Sequence, residues 1–230
     1  MKKGKLIVID GIDGVGKATQ TKLLVSNLRK AGLKVKTIDF PHYDGNFFGS
    51  LIGRYLAGKF GDFIQVDPHL ASVLYAADRF ESSKKMKQWL EDGYAVICDR
   101  YVSANQIHQG GKIHDAKKRK VFFEWLEKME HGVFDIPRPD MIFYLDVPLD
   151  VSQKWLKRKV AQRKKGYLKG RHDVAEDNLE HLEDSRRAAV KLVEGKNKWK
   201  RINCWGSDEI RSREDIAGEI FDTARKICCV

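Results

Sequence analysis

KLIVIDGIDGVGKATQT, residues 5–21, sets four apolar residues, a glycine-punctuated turn and the start of a helix in immediate succession. Leu6-Ile7-Val8-Ile9 reads as a buried first strand, and Gly11 to Lys17 fits G-x-x-x-x-G-K, the Walker A pattern, in the strand-then-helix context that gives the pattern meaning. The glycines let the backbone curl until successive N–H groups point inward at phosphate oxygens. The helix that follows adds positive potential at the same place. The expected triphosphate loop is therefore Gly11, Ile12, Asp13, Gly14, Val15, Gly16, Lys17, Ala18 and Thr19, with Lys17 reaching the β- and γ-phosphates. One position departs from the pattern: Ala18 stands where a Ser or Thr would ligate magnesium, and Thr19 follows one place later.

The remainder of the chain fits one α/β domain. Its 230 residues, 42% hydrophobic, suffice for a full core. A formal charge of +11 favours anionic partners without choosing among mononucleotides, nucleic acid and lipid, and the glycine loop selects mononucleotides. Cys98, Cys204, Cys228 and Cys229 show no metal-ligand spacing; Cys98 reads as a buried hydrophobe, and the last two as exposed reduced thiols. No apolar run approaches the roughly 20 residues of a membrane span, and the N-terminus enters a strand directly, so a cytoplasmic protein with no membrane partner is expected.

Downstream, Lys17 to Ala31 has a helical spacing of Leu23, Leu24 and Leu28 and stops at Gly32. Leu33 to Phe40 is a second strand, which makes a βαβ opening and a parallel sheet whose ligands gather at the strand C-termini. Phe40-Pro41-His42-Tyr43 ends that strand, and a polar, glycine-bearing stretch follows to Gly53. The segment His69 to Glu91 is a long helix with Leu70, Val73, Leu74 and Ala77 expected in the core, and Tyr75 and Arg79 four apart on one face. Tyr94 to Cys98 is the third strand, closing in Asp99-Arg100-Tyr101: an acid able to hold Mg2+ through water, and a fork suited to phosphate. Lys117 to His131 is an amphipathic helix with Val121, Phe122, Trp125, Leu126 and Met129 inward. Met141 to Leu145 is the fourth strand, followed by Asp150 in the first turn of a helix to about Gln162. Residues 157–172 are strongly basic, with Gly166 and Gly170 as hinges, and read either as a solvated surface or as a lid that closes over triphosphate. Asp173 and Glu176 resemble a capping box before a helix through Glu194, Arg201 to Cys204 is a fifth strand, and Arg213 to Ile227 is the last helix. The expected architecture is a three-layer α/β fold: a five-stranded parallel sheet with helices on both faces.

GIDGVGKATQ, FPHY, LYAADRF, DRYVSANQIHQGG and LDVPLDV, in this order and followed by the basic segment, resemble the thymidylate kinase family over nearly the whole chain. The resemblance implies a three-layer P-loop kinase fold with a basic lid and γ-phosphoryl transfer from ATP to dTMP, giving dTDP in dTTP synthesis, with Mg2+ as cofactor, no nucleic-acid partner, and a homodimer. Carried over by position, Lys17 stabilises the donor phosphates and Asp13 faces the acceptor sugar and phosphate near the metal. Tyr43 and Arg100 hold the acceptor phosphate, Tyr75 stacks on thymine, Arg79 donates to a base carbonyl and Asn105 meets the N3 edge, with Phe40 and His108 completing the dTMP site. Asp99, through water, and Thr19 are the metal candidates. Relatives draw one catalytic arginine from the loop or the lid; Gly14 stands at the loop position, so the resemblance assigns it to the lid, where Arg163 and Arg171 are candidates. His108 stands where relatives commonly carry a tyrosine that crowds the sugar 2′ position, which implies weaker deoxyribose selectivity.

Two other readings compete. A deoxynucleoside kinase needs a carboxylate base for a neutral hydroxyl, for which Asp10 is the candidate, whereas Arg100 with Tyr43 suits an acceptor that already carries phosphate. A nucleotide-dependent nucleic-acid-binding or regulatory protein fits the charge and Ala18, but no nucleic-acid module is present in the sequence.

Overall fold

Leu6, Ile7, Val8 and Ile9 are all fully buried, as a strand covered on both faces requires. The computed structural model describes residues 3–61, 65–162, 178–195, 197–206 and 209–229. In chain order the elements are β1 (Leu6–Asp10), α1 (Lys17–Lys30), β2 (Val35–Asp39), α2 (Phe47–Leu56), α3 (Pro68–Glu91), β3 (Ala95–Asp99), α4 (Val102–Ala104), α5 (Ala116–Glu127), β4 (Met141–Asp146), α6 (Leu149–Gln162), α7 (Leu179–Glu194), β5 (Trp199–Asn203), β6 (Trp205–Gly206), β7 (Glu209–Ile210) and α8 (Arg213–Cys228). A π turn, Asn105–Gln109, extends α4, and a second, Lys128–Val133, extends α5.

The main sheet is parallel throughout, in the order β2-β3-β1-β4-β5. β1 is thus central, and the loop that leaves it emerges between the C-terminal ends of β3 and β4, the crevice where such sheets take ligands. Side chains alternate between two cores. Ile7, Ile9, Phe143 and Leu145 pack against Leu24 and Leu28 of α1 and Ile216 and Ile220 of α8. Leu6, Val8, Cys98 and Tyr144 pack on the other face against Met86 and Leu90 of α3 and Ala189 and Leu192 of α7. These are the three layers expected of the sequence.

Several local expectations change. The polar stretch before Gly53 contains α2, whose inner face, Ile52, Tyr55 and Leu56, is buried with Tyr43 and Tyr75 against it. On α3 the inward side is small and polar, with Ala71, Ser72, Ala76, Arg79, Ser82 and Ser83 buried, while Leu70 (68%) and Val73 (40%) are exposed. Apolar spacing alone had placed both in the core. Val121 is likewise exposed, and α5 stops at Glu127 where the π turn begins. Asn178 caps α7, its side chain accepting from His181 N, so the helix begins past the expected capping box; Asp173 and Glu176 lie outside the described residues. β5 starts two residues earlier than read, and a short antiparallel pair, β6 with β7, follows it. Cys228 is half-buried against the α1/α8 core, and only Cys229 is exposed. Asp67 caps α3, accepting from His69 N and Leu70 N, with Pro68 at the first helical position.

Candidate functional site

The loop after β1 is shaped by glycine where another residue would collide. Gly11 has φ 153°, and a Cβ there would come within 2.8 Å of Val15 Cγ2 and 2.9 Å of the Leu145 carbonyl oxygen. Gly16 at φ 94° turns the chain into α1 and offers no side chain to cap the first-turn N–H groups; its carbonyl takes Thr19 N at 3.0 Å, which leaves the N–H groups of Lys17 and Ala18 to an anion. Lys17, 8% exposed, donates to the carbonyls of Gly11 (3.0 Å) and Ile12 (2.8 Å) and lies 3.8 Å from Asp13. Burial, then the neighbouring Arg100, lower its pKa from the usual lysine value. Such a cation gains from an incoming phosphate.

Arg100 reaches the same place from the end of β3. Its φ of 64° puts a non-glycine residue in the left-handed region, at a cost of about 1–2 kcal/mol. The turn sends the guanidinium back over the loop, where Nη2 donates to Asp13 Oδ1 at 2.5 Å and Nη1 meets His108 Nε2 at 2.8 Å. An arginine has no acceptor, so His108 Nε2 must accept and its proton resides on Nδ1. Burial, reinforced by Arg100, holds His108 well below the usual histidine pKa, consistent with a neutral ring. For Arg100 itself burial opposes the charge, yet Asp13, Asp10 and Asp99 hold its pKa above the ordinary value.

Asp10 is completely buried and accepts from Ser103 Oγ (2.5 Å) and Gly11 N (2.8 Å). With both oxygens engaged inside the fold, it is a brace for the loop and no base for a sugar hydroxyl. This removes the structural basis of the deoxynucleoside kinase reading. Asp99, at the end of β3, is half-buried, and desolvation raises its pKa, with Lys17 and Arg100 opposing the rise.

A second group lies one turn along the segment that carries His108. Asn105 is buried, and its Nδ2 donates to Glu130 Oε1 (2.9 Å) and the Ser72 carbonyl (3.2 Å). Glu130 also receives Arg79 in a two-pronged ion pair, Nε to Oε2 and Nη2 to Oε1, both 2.7 Å, and Arg79 Nη1 donates to the Tyr101 carbonyl at 3.3 Å. Glu130 is 0% and Arg79 2% exposed. Tyr75, one turn before Arg79, is half-buried and packs with Tyr43 on the α2 cluster. Phe40 is buried, its ring 5.8 Å from that of Tyr101.

The structure therefore gathers Asp13, Lys17, Arg100 and His108 in one cluster, Arg79 and Asn105 in an adjoining one, and Tyr43 with Tyr75 beside α2. Arg163, Arg171 and the greater part of the 157–172 segment lie outside the described residues. Sequence reasoning missed Glu130: it sits in a helical pattern as an ordinary polar residue, and its partners are 25 and 51 positions away. It also missed Asp146 at the end of β4, buried and paired with Arg186 of α7 (2.8 Å) and Arg201 of β5.

For a metal, no cluster of three His, Cys, Asp or Glu side chains is found among the described residues. Mg2+ is commonly held by one or two carboxylates with substrate phosphates and water; Asp99 at the end of β3 and Thr19 in the first turn of α1, both half-buried, carry oxygens of the type it takes. Ala18 is exposed and has no oxygen to add.

Comparison with known proteins agrees with the geometry. The profile described as Thymidylate kinase matches residues 9–214. A thymidylate kinase of Plasmodium falciparum is 30% identical over 192 residues, covering 81% of this chain and 85% of the relative. One from Mycobacterium tuberculosis is 30% identical over 176 residues, covering 76% and 77%. A solved thymidylate kinase from Candida albicans superposes with a TM-score of 0.70 at 21% identity, covering 98% of this chain and 94% of that one, and so shares the fold. With the matched profile spanning most of its length and the phosphate loop built as described, the chain belongs to the thymidylate kinase family.

Proposed function

We infer that the chain transfers the γ-phosphoryl group of ATP to dTMP, giving dTDP. The observation that carries the site assignment is Arg100, turned back over the phosphate loop and held between Asp13 and His108. Lys17 and the N–H groups at the start of α1 take the donor phosphates. Arg100 with Tyr43 takes the acceptor phosphate, which arrives largely ionised at neutral pH because its second pKa is near ~6 and so requires no general base. Catalysis then rests on alignment and fixed charge. Tyr75 stacks on the base, Arg79 donates to its carbonyl, Asn105 meets N3, and Arg163 or Arg171 supplies a further cation. Asp99 and Thr19 hold Mg2+, which when bound neutralises charge on the donor phosphates.

The molecule works in the cytoplasm as a homodimer, in dTTP synthesis. Leu70, Val73, Ala77 and Phe80 form one stripe along α3; three of them are exposed, an apolar surface suited to a second copy. The test is ATP consumption with Mg2+ against thymidine, dTMP, dUMP, UMP and dGMP side by side. Turnover confined to dTMP, or to dTMP with dUMP, supports the reading, and turnover of thymidine alone overturns it.

A further inference from the structure

Glu130, with the Ser72 carbonyl, fixes the orientation of the Asn105 amide. Both acceptors around Asn105 Nδ2, the Glu130 carboxylate and the Ser72 carbonyl, demand its NH2 group, and neither can donate. The amide oxygen must then face away from them. A buried NH2 aimed elsewhere would leave two oxygens facing a third, so the orientation follows from chemistry alone. The same carboxylate holds Arg79 through Nε and Nη2, which fixes the plane of the guanidinium. One carboxylate thus sets an acceptor, Asn105 Oδ1, beside a donor, Arg79.

We propose that Glu130 is the positioning residue that sets pyrimidine specificity, admitting bases with a hydrogen on N3 and an oxygen on C4 and rejecting cytosine. The inference rests on the reading of Asn105 and Arg79 as base contacts. Thymine and uracil offer a donor at N3 and an acceptor at C4, complementary to both side chains. Cytosine has an acceptor at N3 and an amino group at C4, and so mismatches at both points. A buried site that must leave polar groups unmatched discriminates strongly. The network touches neither the C5 substituent nor the sugar, so it does not separate thymine from uracil.

The test compares kcat/KM for dTMP, dUMP and dCMP in the wild type, Glu130→Gln, Asn105→Ala and the double variant. A glutamine at 130 brings its own NH2 group, so only the Ser72 carbonyl, at 3.2 Å, still holds the Asn105 amide, and Arg79 loses its two-pronged partner. Glu130→Gln is expected to narrow the dTMP-to-dCMP ratio about tenfold or more while the dTMP-to-dUMP ratio holds. In the Asn105→Ala background the same change is expected to shift the ratio by less than about threefold, because the group it acts through is gone. Uniform loss on all three acceptors would mean a merely structural role and overturn the proposal. An Asn105→Ala enzyme with an unmoved ratio would instead overturn the base-contact reading itself. Should Glu130→Gln fail to fold, the wild type remains testable by NMR of the Asn105 side-chain amide: protons protected from exchange are expected, and rapid exchange refutes the network.

Discussion

Replacing His108 by phenylalanine keeps a flat ring in place and removes the acceptor that meets Arg100 Nη1 at 2.8 Å. A hydrogen bond from a charged donor is worth about 1.5–3 kcal/mol. Arg100 keeps its 2.5 Å contact with Asp13 in the variant, so the lower figure applies, and about 1.5 kcal/mol corresponds to about tenfold. The KM for dTMP is expected to rise about tenfold, with the KM for ATP unmoved, in steady-state titrations with the other substrate saturating. A general loss of folded enzyme would lower kcat and leave both KM values in place. Acid pH adds a second readout. Arg100 and Lys17 set positive charge near the ring, His181 lies beside it with its ring centroid 5.7 Å away and its own pKa lowered to about 4, and Asp13 is the opposing anion. Protonation, which burial and Arg100 push well below the usual histidine range, sets a second cation against Arg100. Wild-type kcat/KM for dTMP should therefore fall along an acid limb that His108→Phe lacks; the titration of dTMP itself near ~6 is common to both and cancels in their ratio. A dTMP KM within twofold of wild type in His108→Phe would refute the clamp.

Three further outcomes are expected. Lys17→Met should lower kcat by at least about 100-fold while the unfolding midpoint holds or rises, since burial and Arg100 already disfavour the charge; thermal unfolding beside kinetics checks both. His181, buried on α7 with its pKa lowered to about 4, refuses a proton that the unfolded chain accepts below about 6.5, so stability falls as pH drops through that window, by about 1.4 kcal/mol per unit. Urea unfolding at pH 7 and pH 5 should show a pH-dependent loss about 2 kcal/mol smaller in His181→Gln. Ala18→Thr restores a hydroxyl at the exposed first-turn position and is expected to lower the half-saturating Mg2+ concentration roughly threefold or more, read from Mg2+ titrations of turnover.

What could be read from the chain follows the range of the interactions. The first four strands and the phosphate loop are local: Leu6 to Ile9 are buried because both sheet faces are covered, and a continuous apolar run announces that. Helix α3 defeated the same logic. Its inner face must accommodate Arg79, Ser72 and the network around Glu130, so the residues turned inward are small or polar and Leu70 is left outside. Glu130 had no local signal because its meaning lies in Arg79 and Asn105, which only folding brings to it. The Asp-Arg-Tyr run marked Arg100 as a candidate phosphate ligand, but its left-handed backbone and its hold on His108 were not legible.

On the proposed assignment of Arg100 to the acceptor phosphate, the charges around the loop account for a preference for a phosphorylated acceptor. Lys17 and Arg100 are already matched by Asp10, Asp13 and Asp99, and Asp13 alone touches both, at 3.8 Å and 2.5 Å. Binding is therefore an exchange of partners. A nucleoside without phosphate offers Arg100 nothing to replace Asp13, and the guanidinium stays where it is. A phosphate dianion presents more charge and a pair of oxygens matched to the fork, and so competes with a single carboxylate oxygen. Lys17, meanwhile, donates its hydrogen bonds to neutral carbonyls and meets Asp13 only at 3.8 Å, a weaker hold on a desolvated cation than a triphosphate provides. On that assignment the donor loop yields to a triphosphate more readily than the acceptor side, where a ligand must outcompete the 2.5 Å contact of Asp13 with Arg100, and a monophosphate is favoured over the nucleoside.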